Sequence, residues 1–160
     1  MAVLRTTRPR NRTKLLQSGA VAIEFALLFA LAFALFYGAV VYAVTFLLSQ
    51  SFESAAAEGT RAAVSVDRDN PDNGAGNCSG YADCVSQEAT NAALERLAFL
   101  PANMRERVEV EPQLNGETLE LLVIIRDYGA APPLPPIPLP GLGSIPPLPD
   151  NLSAVSRIRL

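Results

Sequence analysis

Glu24 is the first acid of the chain, and it stands at the mouth of an apolar run. The stretch "SGAVAIEFALL" (18–28) places it five residues after Gly19, and no side chain from Phe25 to Leu48 is charged. A charge within a bilayer core costs about 2.5–3.5 kcal/mol on insertion scales, less near the edge. A carboxylate here therefore needs a harmless position or a purpose. The harmless one is the first turn of a helix, where the dipole favours an acid by about 0.3–1 kcal/mol. That accounts for neither Gly19 nor the cations that precede it. The purposeful one is ion pairing within lipid, which avoids most of the single-ion penalty without necessarily improving on apolar packing.

The other groups able to do chemistry are few. Cys78 and Cys84 are the only cysteines, and an even count in an exported segment favours a disulfide. The small loop it closes contributes roughly 2–2.5 kcal/mol in the chain-entropy model. Asp67, Asp69 and Asp72 invite a calcium loop, but Pro71 takes a ligand position of that pattern, and Asx-turn chemistry accounts for the acids. Histidine is absent, which excludes imidazole catalysis, imidazole metal sites and histidine pH switches. With both thiols oxidised, no nucleophile–base pair or carboxylate dyad presents itself. The expectation is a non-enzymatic protein with no metal, no cofactor and no small-molecule substrate.

These residues sit on elements that the sequence pattern delineates. Residues 1–23 hold Arg5, Arg8, Arg10, Arg12 and Lys14 and no acid, whereas all 16 Asp/Glu fall later. Such an arm before a spanning helix fixes topology with its cations in the cytoplasm and is not read as a nucleic-acid site. The 24 residues from Phe25 to Leu48 reach about 36 Å as a helix, enough to cross a hydrocarbon core about 30 Å thick. With no proline between Pro9 and Pro71, one long helix is expected over 20–66. Within the span, Ala22, Ala26, Ala30, Ala34 and Gly38 form a small-residue track suited to close helix packing in lipid. Past it, Phe52, Ala55, Ala56, Gly59, Ala62, Ala63 and Val66 recur at helical spacing. This narrow face buries little area alone and so expects a partner.

Residues 67–160 read as a small exported α/β domain. "VSQEATNAALERLAFLP" (85–101) predicts a helix ended by Pro101. "ERVEVEP" and "ETLELLVIIRDY" read as strands joined through Asn115–Gly116, and "LSAVSRIRL" (152–160) as a third strand. The insertion at 130–149 has nine prolines among Leu134, Ile137, Leu139, Leu142, Ile145 and Leu148. It predicts extended polyproline structure in places, either as a stiff connector or as a surface docked on a partner or a membrane. The fold class is α+β: a long N-terminal transmembrane helix, then one helix and a short antiparallel sheet.

The segment "G-AVAI-EF", Gly19 to Phe25, resembles the processing site of type IVb and Flp-type prepilins. "AAAEGTRAAV" (55–64) resembles the segment that follows the membrane helix in TadE-like pseudopilins, or minor pilins, of the tight-adherence (Tad) pilus system. The order of leader, long helix, exported domain, proline-rich stretch and terminal strand agrees. This resemblance implies cleavage between Gly19 and Ala20 by a membrane-embedded prepilin peptidase. It further implies that Glu24, followed by Phe25, pairs with the freed amine of a neighbouring subunit during assembly. The implied partners are the membrane, the peptidase and other pilins or pseudopilins of the Tad machinery. The implied location is the bacterial inner membrane with the domain outside the cytoplasm. Two further readings remain: an unprocessed single-pass anchor for an exported interaction module, and a secreted protein cut after Ala56 or Ala57. The second conflicts with an apolar stretch longer than a signal h-region.

Overall fold

The computed structural model describes residues 14–71, 78–139 and 143–160, with the side chains of 14–18 and 138–145 outside that description. The first helix, α1, runs Lys14–Ala63 and is followed by α2 (Tyr81–Arg96) and the short α3 (Ala102–Arg105). Strands β1 (Val108–Asn115), β2 (Thr118–Ile125) and β5 (Leu152–Arg159) form an antiparallel sheet in the order β1-β2-β5. The β3 (Ile137–Leu139) and β4 (Gly143–Ile145) strands pair separately within the proline-rich insertion. The α+β class and the three-stranded sheet are as the alternation of side chains predicts. The chain divides into two units, Met1–Val40 and Val41–Leu160.

The second unit holds the hydrophobic core. Period-2 alternation sends Leu119, Leu121, Val123 and Ile125 of β2 inward, all fully buried, beside Leu152 and Ala154 of β5. Above them lie Val85, Ala89, Ala93 and Leu97 from α2 and its end, and Phe52, Ala55, Ala56 and Ala63 of α1. The partner that the small-residue face of α1 requires is therefore the chain's own sheet and α2. Gly59 marks the closest approach. A Cβ there would meet Leu121 Cδ2 at 2.4 Å, the Ala89 carbonyl oxygen at 2.5 Å and Ala93 Cβ at 3.2 Å. Thr60 is the buried polar residue of this core among the described residues, and its Oγ1 lies 3.0 Å from both the Ala57 carbonyl and Ser156 Oγ.

Several boundaries differ from expectation: the long helix expected over 20–66 runs Lys14–Ala63. The helix predicted over 85–101 starts at Tyr81 and ends at Arg96. Its early start is stabilised by Asp83, whose carboxylate accepts the Ser79 backbone N–H at 2.8 Å and a bond from Gln87. These bonds, the backbone one foremost, hold the Asp83 carboxyl below its ordinary range. Beyond Arg96, Leu97 and Leu100 stay buried through turns, and Pro101 opens α3, a single turn too short to show periodicity. In the hairpin, Asn115 pairs with Thr118, so the loop is Gly116–Glu117. Gly116 has φ +63° and Glu117 is not in the positive region, the pattern of a II′ turn with glycine first.

Tyr128, just after β2, is 1% exposed and joins several elements. Asp127 precedes it in the left-handed region at φ +52°. The Tyr128 N–H donates to the Asp150 carbonyl at 2.6 Å, and its hydroxyl lies 3.0 Å from Thr45 Oγ1. Arg107 donates to the carbonyls of Arg126, Asp127 and Ala131. These bonds close the base of the proline-rich insertion, from which Leu148 packs on the core. Leu134 and Ile137 are half-buried, and the side chains of Leu139, Leu142 and Ile145 lie outside the described residues.

Candidate functional site

The residues singled out by type and spacing lie along the first half of α1. Every residue from Gly19 to Phe36 is exposed, and this stretch has no charged side chain except Glu24. In a globular protein such a surface would drive aggregation; here the helix is long and apolar enough to cross a membrane. The first half of α1 thus fits membrane anchoring. The helix already begins at Lys14, five residues before Gly19, so the Gly19–Ala20 bond lies within helical backbone.

Nothing among the described residues demands glycine at position 19. A Cβ added at Gly19, or at Gly38, meets no atom within 4 Å, and neither has a positive φ. Glycine in a helix costs roughly 0.5–1 kcal/mol relative to alanine. Among the described residues neither position gains packing in return for that cost. Glu24 is exposed, and the next cation along the sequence is Arg61.

The Ala22, Ala26, Ala30, Ala34 and Gly38 track has a companion that the reading of small residues passed over. Phe25, Phe29, Phe33 and Tyr37 stack in succession, with ring centroids 6.1, 6.3 and 6.2 Å apart. Each aromatic precedes a member of the track, so an aromatic ridge runs beside a groove of small side chains about 100° round the helix. The signal was present in the sequence as an aromatic at every fourth position. Ridge and groove side by side are what interdigitating helices need.

The remaining site residues are distant in sequence and separate in role. Cys78 and Cys84 form a disulfide with Cα atoms 5.0 Å apart, tying the loop before α2 to its first turn. Asp67 accepts the Asp69 backbone N–H at 2.9 Å, the Asx turn expected, while Asp72 lies outside the described residues. The leader cations Arg5 to Arg12 also fall outside them. Among the described residues no group of three or more metal-ligating side chains converges.

The outer face of the sheet is ionic. Arg126 bonds Glu109 and Glu111, Arg157 bonds Glu120 at 2.9 Å, and Arg159 bonds Glu117 at 2.8 Å. The Arg157 guanidinium holds the Glu120 carboxyl below its ordinary range, and Glu120 raises Arg157 in turn. These are solvated cross-strand pairs that keep the face wet; they do not converge on a cavity.

Among curated proteins and solved structures nothing matches the chain. A family model does: the one described as TadE-like protein matches residues 19–61, from Gly19 of the exposed half of α1 to its last turn. The exposed apolar helix and the packed small-residue turn beyond it coincide with this match, so residues 19–61 are similar to TadE-like proteins, consistent with a TadE-like protein of the Tad pilus system.

Proposed function

We propose that the protein is a non-enzymatic pseudopilin or minor pilin, trimmed after Gly19 by a prepilin peptidase and taking part in assembly of Flp/Tad-type pili. It enters the inner membrane with residues 1–19 in the cytoplasm and residues 67–160 outside. The carrying observation is the glycine at 19. It opens the family match, has no packing or positive-φ reason among the described residues, and stands five residues before an acid in an otherwise uncharged span.

The chemistry follows from that placement. Five cations keep the leader in water, and Gly19, Ala20 and Ala22 are small enough for a tight cleft. The scissile bond lies within α1, and a glycine there lowers the cost of opening the helix. Trimming creates an α-amine on Ala20, mostly protonated at neutral pH. Glu24 lies four residues on and is a helical neighbour of that amine within its own chain. Pairing with a neighbouring subunit competes with this local pair, so the acid acts on register between subunits more than on raw affinity. The aromatic ridge and the Ala/Gly track supply the surfaces along which spans dock.

Mass spectrometry of the membrane-extracted protein tests the reading. A mature chain starting at Ala20 is expected; an intact leader identifies a plain single-pass anchor, and a start near Ala57 a secreted protein. Gly19→Leu should block trimming. Glu24→Ala should be trimmed yet poorly incorporated, and its normal assembly would remove the role given to the acid.

A further inference from the structure

The second unit begins inside the uncharged run, and this sets where a bilayer meets the protein. Val41 and Leu48 are buried, and Thr45 bonds Tyr128. One face of the run's last two turns is therefore covered by the domain. The other face is bare: Tyr42 is 50% exposed, and Phe46 and Leu47 are each 63% exposed. The 21 residues from Ala20 to Val40 already reach about 32 Å as a helix, the thickness of a hydrocarbon core. Tyr42, Phe46 and Leu47 thus fall at the outer boundary, where aromatic side chains concentrate.

Phe99, in the turns between α2 and α3, is 68% exposed although its neighbours Leu97 and Leu100 are core residues. It lines one depression together with Leu47, Gln50, Ser51, Ser54 and Arg96. A residue 52 positions away in sequence is so brought beside the last exposed leucine of the run. Arg96 and Arg105 flank this corner. Arg96 Nε donates to Ser54 Oγ at 3.2 Å, and Arg105 donates to the Ala98 carbonyl at 3.3 Å, which draws its guanidinium to the turn that carries Phe99. The acids nearby in sequence are Glu95 and Glu106.

We infer that the α2–α3 corner is a lipid-docking site. Phe99 inserts into the outer interface of the bilayer that α1 crosses, continuous with Tyr42, Phe46 and Leu47, while Arg96 and Arg105 face lipid phosphates. The occupant is lipid because Tyr42, Phe46 and Leu47, which lie within the same unit as Phe99, end the uncharged run in sequence and the patch is bordered by cations. Such a contact fixes the domain against the membrane instead of leaving it to swing on α1. It rests on reading α1 as a span, not on trimming or pilus assembly.

The chain has no tryptophan, so a single introduced one reports without background. Full-length Phe99→Trp is placed, one copy per disc, in nanodiscs of phosphatidylethanolamine and phosphatidylglycerol. Its emission should be blue-shifted and should lose intensity to lipids brominated near the headgroup end of their acyl chains. Val155→Trp, at a 51% exposed site on β5, should keep water-like emission and ignore the bromines. Leu28→Trp, in the first half of α1, should be quenched by bromines at the bilayer centre. Circular dichroism verifies the fold of each variant, and Ala98→Trp replaces Phe99→Trp if that one fails to fold. A quenched Leu28→Trp with water-like Phe99→Trp overturns the lipid site and leaves the span standing. If neither is quenched, span and lipid site fall together. An emission shift seen only when several copies share a disc assigns Phe99 to a subunit contact and likewise overturns it.

Discussion

Residues 19–38 and 48–63 belong to one helix and share one vocabulary of alanine, glycine and phenylalanine, yet they are used in opposite ways. In the later stretch Phe52, Ala55, Ala56, Gly59 and Ala63 are buried against the chain's own sheet and second helix. In the earlier one, Ala22, Ala26, Ala30, Ala34, Phe25 and Phe29 are exposed, and Gly38 has open space where a side chain would go. Small residues at helical spacing announce that something will come close. They do not say whether it belongs to the same chain. The glycines discriminate: Gly59 is forbidden a side chain by Leu121 and Ala89, whereas among the described residues nothing forbids one at Gly19 or Gly38.

The contrast can be broken by substitution. The largest difference is expected between the two phenylalanines. Phe52→Ala should destabilise the folded unit by about 3–5 kcal/mol through the cavity it leaves. Phe29→Ala should change it by no more than about 0.5 kcal/mol, because nothing in the unit is lost. Urea midpoints followed by circular dichroism in mild detergent compare them, and equal losses would erase the distinction. Gly59→Ala comes next, at about 1–3 kcal/mol of overpacking, since the Ala89 carbonyl is backbone and cannot swing aside. Gly38→Ala should instead strengthen the helix by about 0.5–1 kcal/mol.

Smaller effects sharpen where the packed region begins. Tyr128→Phe removes the bond to Thr45 and should cost about 0.5–1.5 kcal/mol, with the urea midpoint falling accordingly. Acid gives the least. The folded-state values of Asp83 and Glu120 are both lowered, so their contribution is complete above the ordinary carboxylate range near pH 4. It is lost as the pH falls through the lowered folded values. Arg157 is raised further from an already strongly basic value by its bond to Glu120, so its contribution is constant across that window. Thermal melting as a function of pH should show a shallow acid decline, flattened in Asp83→Asn and Glu120→Gln and weakened by salt.

What the sequence disclosed follows the range of the forces involved. Strand alternation and the hairpin signal are local, and they placed β1, β2 and β5, while the inward set Leu119 to Ile125 is seen only in the folded sheet. The hairpin was legible from Asn115–Gly116, but its turn was shifted by one residue because glycine serves as the first loop residue. The start of α2 was not legible, because the Asp83 bond to Ser79 has no apolar period. Tyr128 was missed as a core residue for a related reason. It follows the strand across a left-handed Asp127 and is buried by a helix residue 83 positions earlier. On the first half of α1 the Gly-x-x-x-x-Glu spacing and the small-residue track are legible, whereas the aromatic ridge is hidden in a run that is apolar all round and shows itself only in the ring stacking.

The closed base of the proline-rich insertion has a consequence for how this chain can vary. Ile125 and Leu152 are cross-strand partners, and the bonds of Tyr128 and Arg107 pin the segment between them before it departs. The chain between Pro132 and the buried Pro146 can then vary in length at little cost to the sheet, since doubling a loop adds only about 0.6 kcal/mol of closure entropy, whereas Pro146 and Leu148 belong to the packed region. Cargo of quite different size could be hung from that clasp, and the strands on either side would still find one another.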